Sequence, residues 1–124
     1  MASKGSFEDL LMWQKAHKFV LNVYKNTASF PKEELFGLTS QFRRAAVSIA
    51  ANIAEGYKKK GVKDKLRFFN ISQGSIEECR YYLILSRDLN YIETNNLRLD
   101  LEEVSKIIES YMNAIRKSIT SLNS

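Results

Sequence analysis

The feature that most constrains the fold is a run of apolar residues near the C-terminus. Leu97, Leu101, Val104, Ile108 and Tyr111 alternate by four and three positions, which is the a/d seam of a helix that packs one stripe against other helices. The 124 residues contain one proline and five glycines, so few turns interrupt long elements. A β-sandwich or barrel needs a turn about every 8–12 residues and therefore does not fit this chain.

The same periodicity predicts three earlier helices, over about residues 6–28, 39–59 and 62–89, with a fourth from about Leu97 onward. Ser6 is the expected N-cap of the first helix, with Asp9 reaching back to it, and Thr94 to Asn96 are expected to cap the fourth. Short links between long helices predict an all-α, up-down-up-down four-helix bundle. We expect one domain over residues 1–124, with an ordered core over about residues 6–123.

Small residues suggest where helices approach closely. The second helix contains Ala45, Ala46, Ala50, Ala51 and Ala54, and such short side chains admit a neighbouring helix. Gly74 lies within the third helix at a cost of about 1 kcal/mol relative to alanine. A close backbone crossing at Gly74 would explain that cost.

The sequence offers little for catalysis. Its single histidine, His17, lies at the rim of an apolar helix face, and its single cysteine, Cys79, lies within an apolar stripe. Neither a di-iron Glu-x-x-His pair nor a phosphate loop or Cys-x-x-Cys occurs. We predict a protein that is not an enzyme, with no catalytic residue, metal site or cofactor, and with Cys79 as a packed thiol.

The charge is uneven along the chain. Its net value is +5, yet residues 1–67 carry +7 and residues 68–124 carry −2. The excess peaks in a basic cluster of six residues, Lys58, Lys59, Lys60, Lys63, Lys65 and Arg67. Such a cluster favours a polyanionic partner, RNA or DNA first; the alternative is a solvated lysine-rich loop. Tyr57 and Phe68 either offer stacking surfaces to bases or belong to the core.

One narrow polar stripe runs along the second helix. Its members recur at three- and four-residue steps: Gln41, Arg44, Ser48, Asn52, Glu55 and Lys59. The stripe is a solvated face, a hydrogen-bond network across helices or subunits, or a ligand surface. Under the network hypothesis, Asn52 and Glu55 bond to Arg44, or to Glu78 and Arg80 of the third helix.

The second helix and its approach resemble a known family. The matching segments are FPKEELFGLTSQ at 30–41, RRAAVSI at 43–49 and ANIAEG at 51–56, with WQKA at 13–16 upstream and GSIEE at 74–78 downstream. Together they resemble the bacterial four-helix bundle proteins encoded by intervening sequences of 23S rRNA genes. The motif positions in this chain are Gln41, Arg43, Arg44, Ser48, Asn52, Glu55, Gly56 and Glu78.

This resemblance implies a homo-oligomer, a pentamer in particular, with no established enzymatic activity. It also implies kinship with the accessory protein of diversity-generating retroelements, a basic pentameric barrel that binds nucleic acid and a reverse transcriptase. Four apolar residues lie off the main helix stripes and are expected to face solvent in a monomer, where they would mark an interface: Leu11, Phe19, Tyr81 and Ile84.

Two functional hypotheses follow. The first is an oligomeric bundle that presents a basic surface to RNA or DNA, as an accessory to nucleic-acid-processing machinery and with a protein partner such as a reverse transcriptase. The second is a structural or protein-binding adaptor whose basic loop is only solvated. With neither a signal-peptide pattern nor a long apolar segment, we expect a cytoplasmic protein that does not contact membranes.

Overall fold

The computed structural model describes residues 5–123 and contains four α-helices in that range. They are α1 (Leu11–Thr27), α2 (Leu38–Lys58), α3 (Val62–Asp88) and α4 (Asn95–Asn123), with short 3₁₀ turns at Phe7–Asp9 and Lys32–Glu34. Within residues 5–123 there is no β-strand. Each helix packs against its neighbours in the chain, and α1 also packs against α4. The predicted all-α four-helix bundle is confirmed.

The N-terminal boundary differs from the predicted one. Ser6 does act as an N-cap, but its hydroxyl accepts from the Glu8 amide at the start of the short 3₁₀ turn. Leu10 then has an extended backbone, and α1 begins at Leu11. At α4, the carboxylate of Glu93 accepts from the Asn95 amide, 3.0 Å away, while Thr94 contributes its backbone carbonyl to Arg98.

The core lies along the bundle axis. Its largest fully buried side chains come from all four helices: Phe19, Phe42, Phe69, Ile49, Ile53, Ile76, Leu101, Ile108 and Met112. Phe19 is 0% exposed, so the prediction that it faces solvent is wrong. The inward face of α1 runs through Met12, Ala16, Phe19 and Val23, whereas Trp13 is half-buried and Tyr24 is exposed.

Helices α2 and α3 approach each other over short side chains. Ala45, Ala46 and Ala50 of α2 are buried, and so are Ser72 and Ser75 of α3. The Ser72 hydroxyl donates to the Ile49 carbonyl at 2.9 Å, and the Ser75 hydroxyl donates to that of Ser48 at 2.8 Å. Each hydroxyl is therefore buried with a partner, as polar groups in a core require.

The close approach lies at Gly56 rather than at Gly74, and it brings a side chain of α3 against the α2 backbone. A Cβ atom at Gly56 would lie 2.7 Å from Cε1 of Phe69. At Gly74, by contrast, the described residues leave the space within 4 Å of such an atom open, and the residue is exposed. Among the described residues, the expected close crossing at Gly74 is therefore absent.

Candidate nucleic-acid interface

The basic cluster lies at one end of the bundle, where α2 turns into α3. α2 ends at Lys58, and the extended backbone of Lys59 donates its amide to the Gly56 carbonyl at 3.2 Å. Gly61 precedes α3, and its carbonyl accepts from the Lys65 amide. The turn therefore holds the cluster between two helix ends.

Three lysines of the cluster carry a positive charge without a partner among the described residues. Lys58, Lys60 and Lys63 are exposed, and in the described part of the chain they form no hydrogen bond or ion pair. Each ammonium group is thus open to solvent and to an anionic partner. Lysines of this kind neutralise phosphates without reading base sequence.

Two further members of the cluster lie against an aromatic ring. The Lys59 ammonium is 5.1 Å and the Arg67 guanidinium 4.6 Å from the centre of the Phe68 ring. Lys59 also pairs with Glu55, and Arg67 with Asp64, each at 3.8 Å. These pairs are long and solvent-exposed, so they hold the two cations weakly.

Lys65 has a contact that the sequence pattern did not indicate. Its ammonium donates to the carbonyls of Gly56 at 3.1 Å and Tyr57 at 2.6 Å, which belong to the last turn of α2. Burial lowers the pKa of this ammonium. Because Lys65 caps the C-terminal end of α2, we leave it out of the interface proposed below.

Tyr57 and Phe68, the two aromatic residues next to the basic cluster, are half-buried rather than fully in the core. The Tyr57 hydroxyl donates to the Gly5 carbonyl at 2.5 Å and so ties the N-terminal segment to α2. Phe68 is covered by the two cations described above. Both rings thus keep part of their surface at the basic end of the bundle.

A family model described as the 23S rRNA-intervening sequence protein matches residues 8–110. The chain belongs to this family. A solved structure from Bacteroides thetaiotaomicron, of a protein with unknown function from the S23 ribosomal protein family, is similar with a TM-score of 0.74. It is 22% identical, and the match covers 83% of this chain and 96% of that one. At this identity the similarity shows the fold alone. Among curated proteins, none matches this chain.

In this member of the family, the middle of the polar stripe joins α2 to α3. The Asn52 amide donates to the Ser48 carbonyl at 2.8 Å and to the Ser48 hydroxyl at 3.0 Å, and the same hydroxyl accepts from Ser75. The centre of the stripe is therefore a local hydrogen-bond network, while Arg44 and Glu55 of the stripe are exposed. Gln41 accepts from the Tyr82 hydroxyl at 3.4 Å.

None of the partners expected for Asn52 and Glu55 bonds to them among the described residues. Arg80 forms a bidentate pair with Glu102 of α4, at 2.6 and 3.0 Å, and also pairs with Glu77. This pair lowers the pKa of Glu102, chiefly through the hydrogen bond from Arg80. Glu78 and Arg44 are exposed, and neither has a hydrogen-bond or ion-pair partner among the described residues.

Two other motif residues support the fold. Arg43 donates to the Thr27 hydroxyl at 2.8 Å and to the Tyr24 carbonyl at 3.3 Å, so it caps the end of α1. Gly56 admits Phe69, as described above. The Phe30–Leu38 segment has a comparable role, since Glu34 accepts from both the Leu38 amide and the Tyr91 hydroxyl. The sequence did not predict the contact of Glu34 with Tyr91, because 57 positions separate the two residues.

The described residues provide no other candidate centre. They contain no group of three or more His, Cys, Asp or Glu side chains arranged to hold a metal ion. Burial raises the pKa of the Cys79 thiol to about 12, which suppresses the nucleophilic thiolate. None of the helices in residues 5–123 has the length and apolar character needed to cross a membrane.

Proposed function

We propose that this protein is a non-enzymatic, oligomeric helical bundle that binds the phosphate backbone of RNA or DNA at the α2–α3 turn. The observation that carries this proposal is the exposure of Lys58, Lys60 and Lys63, whose ammonium groups have no partner among the described residues. Lys59 and Arg67 add charge that is held only by long ion pairs. Such a surface supports binding that is electrostatic and only weakly dependent on sequence.

Assembly into a pentamer is part of the proposal. Ile71, Tyr81 and Ile84 of α3 are 41%, 58% and 47% exposed, and they lie on its outward side with Gly74 between them. Exposed apolar residues grouped in this way support a subunit interface. A ring of protomers would repeat the α2–α3 turn with its basic cluster, hereafter the basic turn. The repeated turns would strengthen weak phosphate contacts through avidity. An accessory role beside a nucleic-acid-processing protein in the cytoplasm is consistent with such a surface.

A protein-binding adaptor is the second candidate, and the connection between α1 and α2 favours it. Phe36 is 92% exposed and Leu35 51% exposed, at the end of the bundle opposite to the basic turn. Large apolar side chains that are exposed together mark protein–protein contacts. Under this hypothesis the basic turn is only solvated.

Charge reversal at the basic turn distinguishes the two candidates. The variant carries Lys58→Glu, Lys60→Glu and Lys63→Glu, and its matched control carries Lys18→Glu, Lys25→Glu and Lys32→Glu, which change the net charge equally at exposed sites elsewhere. Fluorescence anisotropy with labelled single-stranded RNA and duplex DNA should show that only the first variant binds more weakly than the wild type. Equal binding by both variants, or no binding by the wild type at low salt, would favour the adaptor.

A further inference from the structure

A groove lies beside the basic turn, between the N-terminal segment and the last two turns of α2. Its volume is about 640 Å³, within the range of small-ligand clefts. Gly5 and Phe7 line one side, and Ala51, Ala54, Tyr57 and Lys58 line the other. The bond from the Tyr57 hydroxyl to the Gly5 carbonyl joins the two sides. Two segments, the N-terminal one and the end of α2, thus form the groove, and this hydrogen bond holds them together.

The walls of this groove are mostly apolar and partly aromatic. Phe7 is fixed by Trp13, whose ring lies 5.1 Å away in an edge-to-face arrangement, and Trp13 in turn stacks on His17 at 4.9 Å. The alanine side chains on the α2 side are short, so they leave room beside the Phe7 and Tyr57 side chains, which also line the groove. A flat, apolar ligand would replace water in this space and gain contact with an aromatic side chain.

The charge at the groove indicates which flat ligand fits. Lys58 lines the groove and is exposed without a partner among the described residues, and Lys60 and Lys63 follow on the same turn. Glu55 also lines the groove, and its carboxylate lies 3.8 Å from the Lys59 ammonium, so the charge beside the groove remains net positive. A nucleotide matches this arrangement, because its base is flat and apolar on both faces while its phosphate is anionic.

We propose that the groove holds one unstacked base of a single-stranded nucleic acid while Lys58 contacts an adjacent phosphate. This inference rests on the proposed function and adds the class of substrate, since a base in a duplex must first leave its stack to enter. The groove therefore selects single strands over duplexes. Stacking of a base on an aromatic side chain tolerates every base, because each has a π-face.

The test compares strands that differ only in their bases. Labelled single-stranded RNA and single-stranded DNA are titrated by anisotropy against abasic strands of the same length and against a duplex. The wild type should bind the intact single strands about 5- to 150-fold more tightly than the abasic ones. Emission of Trp13, the only tryptophan, should change with the intact strands alone, because Trp13 contacts Phe7 of the groove wall.

Filling the groove should remove this preference. Ala51 is exposed, so Ala51→Leu places a larger side chain in the groove without entering the core, and Ala114→Leu on α4 is the matched exposed control. Ala51→Leu should bind intact and abasic strands equally, with duplex affinity and circular dichroism unchanged. Preference retained by this variant, or absent from the wild type, would overturn the inference.

The outcomes separate this inference from the proposal on which it rests. Equal, salt-sensitive binding of intact, abasic and duplex probes by the wild type would leave the phosphate-binding function standing and remove the base-binding groove. Failure of every probe to bind at low salt would remove both. A preference shown only for RNA or only for DNA would identify the source of the base, and the groove would stand in either case.

Discussion

The Lys65 ammonium donates to the Tyr57 carbonyl at 2.6 Å, across the turn that joins α2 to α3. The same ammonium also reaches the Gly56 carbonyl. The last turn of an α-helix leaves carbonyls without partners inside the helix. Here one side chain of the following helix bonds to the Tyr57 carbonyl and adds a second hydrogen bond to the Gly56 carbonyl, which also accepts from the Lys59 amide. A residue within the basic cluster thus holds the turn that displays its neighbours.

Lys65→Met should therefore destabilise the protein, by about 1–2 kcal/mol, because two charge-assisted hydrogen bonds are lost. Lys63→Met is the matched control, since Lys63 is exposed and has no partner among the described residues; it should change stability by less than about 0.5 kcal/mol. Chemical denaturation followed by circular dichroism measures both. Equal stability of the two variants would show that the cap does not contribute.

Two glycine substitutions should have opposite effects on stability. Gly56→Ala places a methyl group 2.7 Å from the Phe69 ring and should destabilise by about 1–3 kcal/mol. Gly74→Ala meets open space among the described residues and should stabilise the protomer by about 1 kcal/mol, because alanine has the higher helix propensity. Thermal melts of the two variants provide the measurement. Stabilisation by both would contradict the close packing of α2 on Phe69.

The sequence predicted the helices well because each carries a long apolar periodicity. It predicted the inward face of α1 less well, since Trp13, Phe19 and Tyr24 are all large and apolar, and only packing against α2 and α4 decides that Phe19 is the one buried. The cap formed by Lys65 was not predictable either. A lysine in a basic run looks the same in sequence whether it faces solvent or a helix end, and only the angle between α2 and α3 distinguishes the two cases.

The Arg80–Glu102 pair should make part of the free energy of unfolding depend on pH. Because Arg80 lowers the pKa of Glu102 below its ordinary value of 4.5, this contribution is fully present above pH 4.5 and is lost as the pH falls through the lower, folded-state pKa. Glu102→Gln should cost about 0.5–1 kcal/mol at pH 7. The difference from the wild type should disappear in strong acid.

Urea denaturation of the wild type and Glu102→Gln at pH 7 and at pH 3 or below measures this difference. Glu78→Gln is the control, because Glu78 is exposed and has no hydrogen-bond partner among the described residues. A difference between wild type and Glu102→Gln that stays constant with pH would mean that the ion pair is not its source.

The exposed side of α3 should control the oligomeric state. Light scattering coupled to gel filtration is expected to give a mass near five times 14.3 kDa for the wild type. Tyr81→Glu with Ile84→Glu should dissociate the assembly, because two charges would be buried without partners at the interface. Leu99→Glu, at a 67% exposed residue of α4, is the control. A monomeric wild type at micromolar concentration would remove the pentamer.

The salt dependence of binding tests the central claim most directly. We expect Lys58, Lys60 and Lys63 each to neutralise one phosphate of a duplex. The plot of log K against log salt concentration should then be steeper for the wild type than for the triple Glu variant, by about 0.9 in slope for each lysine. The measurement is an anisotropy titration of both proteins with duplex DNA. It is repeated at several salt concentrations, all low enough for the variant still to bind. Loss of the steep slope in the variant is the predicted result. A wild-type affinity that does not change with salt, or slopes that are the same for both proteins, would contradict phosphate binding at the α2–α3 turn.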